Sequence, residues 1–233
     1  MIFIPLILAH LLGDFLLQPN SWVAAKEKKK LGSVYLYLHV LIHMALVMIF
    51  LWDINLWWIA VIVGVTHFII DGIKLLFQTS KTKRTWFFVD QLLHFAVIAL
   101  LSVLYFPYFR WDDFLKPESL KLITAAVFLS VPSSIIIKTL ISIWTPVTVD
   151  HSKLQTESLV NAGKYIGILE RLLVFVFIIV NHWEGVGFMI AAKSVFRFSD
   201  LAEAKQRKLT EYVLIGTLLS FGIAVITGIL VKI

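Results

Sequence analysis

The chain has 233 residues, of which 59% are hydrophobic and 15% charged, with a formal charge of +6 and a mean hydropathy of +0.88. Soluble domains carry about a quarter charged residues, so a soluble enzyme is excluded, and plentiful aromatic and β-branched residues exclude disorder. What remains is an all-α polytopic membrane protein, in which basic residues first mark cytoplasmic loops and nucleic acid is not an expected partner. The chain has no cysteine, which removes disulfides, thiolate metal sites and cysteine nucleophiles.

A spanning helix needs about 17–25 mostly apolar residues. In chain order the qualifying runs are about Ile2–Gln18, Ser33–Trp52, Leu56–Phe77, Trp86–Phe106, Leu120–Trp144, Tyr165–Val180 and Glu211–Val231. An eighth, Gly185–Phe198, is short and carries Lys193 and Arg197, so it either spans at a steep angle or dips in and returns. The expectation is therefore seven or eight spans. The runs are continuous rather than alternating, which argues against a membrane barrel. The first run has no basic residue before it and contains His10 and Asp14, so it reads as a first spanning helix rather than a cleaved signal. Pro132 should kink the fifth helix and Pro146 should mark its end.

Loop charges set the orientation. The first loop carries Lys26, Lys28, Lys29 and Lys30 and the third Lys81, Lys83 and Arg84, whereas the second, around Asp53–Asn55, has no basic residue. This puts loops one and three in the cytoplasm and the N-terminus outside. Trp22, Trp52, Trp57, Trp58, Trp86, Tyr108 and Trp111 lie at run ends, where aromatic residues anchor at the interface.

Ionisable residues inside apolar runs are costly and need a reason. Each of the first four runs holds two of them, four apart: His10 and Asp14, His39 and His43, His67 and Asp71, Asp90 and His94. Residues i and i+4 share a helix face. Counted from the cytoplasmic end of each run at 1.5 Å per residue, all eight fall in a slab roughly 6–15 Å deep. An internal repeat accompanies them, with His10/Asp14 matching His67/Asp71 and His39/His43 matching Asp90/His94. Two hairpins so repeated imply a pseudo-two-fold axis along the membrane normal, with a site at the repeat interface.

Imidazoles and carboxylates converging in a four-helix bundle are the donor set of one or two divalent ions. Zinc is the first choice, with manganese or iron also suited to these donors. The competing reading, a proton or ion pathway, lacks a relay, because Ile2–Leu8, Met44–Leu51, Leu56–Val65 and Phe95–Leu101 are almost bare of polar groups. Nearer the cytoplasmic surface, Gln18 and Lys74 are placed to meet a substrate, Lys74 either as its cation or as a residue snorkelling to the interface.

The division expected is a metal-site half over 1–106, an external loop over 107–118 and a C-terminal half over 119–233 with a cytoplasmic polar segment at about 146–164. In that second half, Glu170 and Arg171 sit a turn inside a helix, and Lys193 and Arg197 share a face. They either lock helices together, with Glu170 or Glu211 as acid, or form a cationic pocket for a phosphate headgroup.

His10-Leu11-Leu12-Gly13-Asp14-Phe15-Leu16-Leu17-Gln18, Asp90-Gln91-x-x-His94, Gly167-Ile168-Leu169-Glu170-Arg171 and Ala191-Ala192-Lys193-Ser194 resemble an uncharacterised family of bacterial inner-membrane proteins often encoded beside SatD-like proteins. The first half is also similar to the family of membrane-bound metal-dependent hydrolases. The resemblance implies a membrane location and a metal.

The expected function is a metal-dependent hydrolase of the bacterial inner membrane, opening to the cytoplasm and acting on an anionic lipid substrate such as a phosphate ester. The ligands would be His10, Asp14, His39, His43, His67, Asp71, Asp90 and His94, with one of Asp14, Asp71 or Asp90 as general base. Lys74, Gln18, Lys193 and Arg197 would bind substrate. The alternatives are a divalent-metal transporter or sensor using the same site, and a structural or regulatory subunit in which the pairs serve packing. Membrane lipids are the expected partners, and the oligomeric state is open.

Overall fold

The computed structural model describes residues 2–105, 118–144, 157–198 and 207–233, and their side chains except at 105, 157–162, 196–198 and 207–210. The described residues form helices and connecting turns, with no strand. Five stretches are long and apolar enough to cross a membrane: Val34–Leu51, Ile54–Phe77, Lys83–Leu104, Glu118–Trp144 and Glu211–Lys232. A sixth is made by Phe3–Leu16 and Asn20–Gly32 if the two, bent by 82°, are counted as one span. This is the architecture of a helical membrane protein.

The chain divides into two compact units, Met1–Thr124 and Ala125–Ile233. In the first, α1 (Phe3–Leu11) continues into a π-helical turn at Leu12–Leu16, and α2 (Asn20–Lys29) follows after Pro19, whose extended backbone breaks the run. Next come α3 (Val34–Leu51), α4 (Trp57–Phe77) and α5 (Lys83–Tyr105). Four of these helices close a ring: α1 packs on α3 and α5, and α4 packs on the same two. α3 stops at Trp52, which takes a left-handed conformation with φ 51°. Asp53 then caps the next turn by accepting the Asn55 N–H at 2.9 Å.

The ring has an apolar end and a polar end. Ile2, Leu6 and Ala9 of α1, Val47 of α3, Ile59, Ala60 and Val63 of α4, and Ile98 and Leu101 of α5 form the apolar core. Leu41, Val65, Leu92 and Leu100 lie on the outer faces, as lipid-facing residues should. Two glycines permit close packing. A Cβ at Gly64 would stand 2.6 Å from Met44 Cγ, and one at Gly13 would overlap the His43 imidazole.

The second unit contains α6 (Glu118–Leu129) from residue 125, then α7 (Val131–Ile141), α8 (Glu157–Ile179), α9 (Trp183–Phe198) and α10 (Arg207–Lys232). α8 packs on α7, α9 and α10, and α10 also packs on α7. The expected kink at Pro132 is present as a break at Ser130, with Pro132 in the first turn of α7. Proline has no N–H to give Phe128, and the Ser133 hydroxyl takes its place, donating to the Phe128 carbonyl at 2.7 Å. Arg171 meets the carbonyls freed at the break: Nε donates to Leu129 O at 2.7 Å and an Nη to Ser130 O at 3.0 Å. Further N–H groups reach Ser134 and Ser220. The predicted end at Pro146 lies outside the described residues.

Candidate metal centre

The four-residue step seen in the sequence runs one turn further than the ionisable pairs. On α1 it reads Leu6, His10, Asp14; on α3 His39, His43, Val47; on α4 Val63, His67, Asp71; on α5 Asp90, His94, Ile98. Because a step of four returns to one helix face, all twelve point into the ring, and they stack as three layers. Leu6, Val47, Val63 and Ile98 make the apolar layer. His10, His43, His67 and His94 make the middle one, and together these two layers line a small cavity. Asp14, His39, Asp71 and Asp90 make the third.

The middle layer is a ring of imidazoles. Centroids of His43 and His67 are 3.9 Å apart and those of His67 and His94 are 4.0 Å apart, both pairs stacked. His10 closes the circle at 5.1 Å from His94 and 5.8 Å from His43. All eight predicted ligands come together here. Asp14 reaches the centre from the π-helical turn, a local widening often found at functional sites.

Asp14 is the focus. Its Oδ1 lies 3.0 Å from His43 Nε2, 3.2 Å from His39 Nε2 and 3.4 Å from His67 Nε2. Its Oδ2 lies 3.7 Å from His10 Nε2 and accepts the Gln91 amide at 2.9 Å. One carboxylate oxygen has two lone-pair sites and cannot accept three N–H donors well. His39 Nε2 and His67 Nε2 are also 3.0 Å from each other, so the same nitrogens serve one another and the same oxygen. Hydrogen bonds alone leave this crowd poorly satisfied.

The third layer shows the same mismatch. Asp90 Oδ1 and His94 Nε2 are buried and without a hydrogen-bond partner, although they stand only 3.6 Å apart. His94 Nε2 is 3.8 Å from Asp71 Oδ1, and His39 Nε2 is 3.9 Å from Asp71 Oδ2. Orphaned buried polar atoms are rare and call for an explanation. Around a tetrahedral ion with bonds of about 2.0–2.1 Å, neighbouring ligand atoms stand about 3.3 Å apart. The separations of 3.0, 3.2 and 3.4 Å around Asp14 match that edge. Three groups have ligand atoms all within 4.8 Å of one another: His10, Asp14, His43 and His67; His39, His67 and Asp71; Asp14, Asp90 and His94. The donors present therefore fit a divalent ion.

Two cations border the third layer. Lys74 Nζ donates to Asp90 Oδ2 at 2.8 Å, and its side chain is 24% exposed, so it is an ion-pair partner at the edge of the site and not a snorkelling residue alone. Lys26 Nζ donates to Asp71 Oδ2 at 2.8 Å and is buried. This corrects the sequence reading, which counts Lys26 among the loop residues that set orientation. Nothing local separates Lys26 from Lys28, Lys29 and Lys30; the bend after Leu16 alone brings α2 back against the ring. The Gln18 side-chain amide nitrogen lies 2.9 Å from both His39 Nδ1 and His39 Nε2, so it packs on the imidazole rather than being held open for substrate. Gln91 bridges Asp14, Asp90 and His10.

In the second unit Lys193 pairs with Glu170 and lies 5.5 Å over the Phe221 ring. Lys193 thus has the helix-locking role weighed for it. The side chain of Arg197, the other predicted substrate cation, lies outside the described residues.

No curated protein and no solved structure matches the chain. Residues 2–119, which span α1 to α5 and every residue of the three layers, match one family, and the chain belongs to it: Protein of unknown function (DUF3307).

Proposed function

We propose that the protein is a metal-dependent hydrolase of the bacterial inner membrane, acting at its cytoplasmic side on an anionic, phosphate-bearing lipid. The observation that carries this reading is the crowding of three imidazole nitrogens within 3.4 Å of a single Asp14 oxygen, with Asp90 Oδ1 and His94 Nε2 orphaned beside it. Zinc suits these donors best, and manganese or iron suits them also. A divalent ion in such a site lowers the pKa of a bound water and polarises the scissile group.

The chain's own residues divide the remaining work. Asp14, His43 and His67 are ligands, and Gln91 and Gln18 hold Asp14 and His39 in place. Asp90 is the general base: Lys74 and Gln91 fix its Oδ2, which leaves Oδ1 to take a proton. The ammonium of Lys74, at the partly exposed edge, meets the substrate's anionic group. The apolar layer excludes water from behind. That layer also speaks against a transporter, since a conduit through the ring would have to pass Leu6, Val47, Val63 and Ile98.

The wider reading has seven spans with α8 joining the longer apolar helices, or eight with the short α9 as well, and the two hairpins of the first half repeat about a pseudo-two-fold axis. The N-terminus is outside, which puts Lys26, Lys74 and the third layer near the cytoplasm. The test is elemental analysis of full-length protein purified in detergent without chelator. Wild type is expected to carry bound metal, with His43→Ala and Asp14→Asn lowering affinity by more than about 100-fold, beyond the usual loss for an outer-shell residue. Metal-free wild type overturns the reading. A metal-loaded protein that turns over no lipid class in an extract overturns the hydrolase assignment alone.

A further inference from the structure

We infer that the centre holds one divalent ion, and that the Lys26 ammonium stands where a second ion would bind. The inference rests on the metal reading above. Beside the group His10–Asp14–His43–His67 stand two others that could take a second ion, and each already has a cation. In Asp14–Asp90–His94 it is Lys74, 2.8 Å from Asp90 Oδ2, and in His39–His67–Asp71 it is Lys26. Lys26 Nζ is 2.8 Å from Asp71 Oδ2, the same oxygen that lies 3.9 Å from His39 Nε2. A metal bound to the other lone pair of that oxygen at about 2.0–2.2 Å would lie only roughly 4 Å from the ammonium. Two like charges so close, away from water, repel strongly.

Charge balance supports the same count. Asp14, Asp71 and Asp90 bring three negative charges to a buried site, and Lys26 and Lys74 return two. One divalent ion leaves the site with a single positive charge, to be met by an anionic substrate. A second would leave three, a heavy cost in a low-dielectric bundle.

Lys26 is also held firmly in place. Glu27, its neighbour on α2, pairs with Lys83 at 2.5 Å and accepts from Gln78 at 3.3 Å. Trp22 stacks on Tyr35 with centroids 5.1 Å apart, and Leu31 packs against Gly72. The ammonium is therefore a fixed part of the site, supplied by a helix that turns back on the ring.

The experiment is metal stoichiometry of the full chain in detergent, saturated with zinc and freed of excess, for wild type, Lys26→Met and Lys26→Arg. One zinc per chain is expected for wild type and Lys26→Arg, and two for Lys26→Met. The double variant Lys26→Met/Asp71→Asn should return to one, which shows that the added ion sits on Asp71. Two ions in wild type, or one in a folded Lys26→Met, overturns the inference and leaves the metal reading intact. Wild type without zinc overturns both. If Lys26→Met does not fold, Lys26→Gln takes its place, and the wild-type count still decides.

Discussion

At the scale of single residues, Gly13 sets how close α1 comes to α3. Its missing side chain is the space in which the His43 ring lies, and that ring is stacked on His67, so it has nowhere to retreat. Gly13→Ala should therefore push His43 out of line with Asp14 while leaving the apolar core at the other end of the ring untouched. The expected outcome is a helical, detergent-stable protein that has lost at least tenfold in zinc affinity, read by competition with a metal indicator alongside circular dichroism. Unchanged affinity would show that the two helices separate at little cost. Nothing at Gly13 in the sequence marks this role, since a glycine in an apolar run is equally consistent with loose packing. The eight inward-facing ionisable residues were legible because ionisable groups in apolar runs are expensive and stand out. Lys26 was not, because a lysine followed closely by three more looks like ordinary loop charge.

At the scale of elements, the break between α6 and α7 is a defect with its own repair. Pro132 removes a backbone donor, Ser133 replaces it, and Arg171 satisfies Leu129 O and Ser130 O from the neighbouring helix. Arg171 is 4% exposed, so its loss takes the guanidinium donor from Leu129 O and leaves Ser130 O with the Ser134 hydroxyl alone. A buried carbonyl left unsatisfied costs about 1–3 kcal/mol, and Arg171→Ala should destabilise the protein by roughly that much. Thermal unfolding in detergent measures this, and a shift within error would mean that water or lipid headgroups replace the guanidinium. The proline forecast the break, and the Glu170–Arg171 pair forecast a helix lock. The division of labour was not visible: Lys193 takes the acid and Arg171 takes backbone, a choice made by which helix lies opposite. The bend that turns α2 back on the ring was missed for a related reason. Pro19 signals an interruption but carries no information about the direction the chain takes afterwards.

At the scale of the whole molecule, helical class and membrane character followed from composition, and the inward faces of four helices followed from a step of four residues. The sequence also predicted that the eight ionisable residues share one depth, and they occupy two adjacent layers of one ring. The number of spans was harder to read, because α8 and α9 mix charge into their apolar runs. The proposed orientation is directly testable, since a chain without cysteine accepts a unique label. Lys29→Cys should react with a membrane-impermeant maleimide only after cells are permeabilised, and Asn55→Cys should react in intact cells. The reverse pattern would turn the centre to face outward.

The layer of Leu6, Val47, Val63 and Ile98 has an electrical consequence. A transmembrane voltage drops mainly across regions that exclude water and mobile ions, and a full crossing is worth about 2.3 kcal/mol per elementary charge per 100 mV. With these four side chains as the insulating step, and with the proposed orientation, an ion on Asp14 shares the potential of the cytoplasm. Its occupancy then follows the free metal of that compartment, and energising or collapsing the membrane does little work on it.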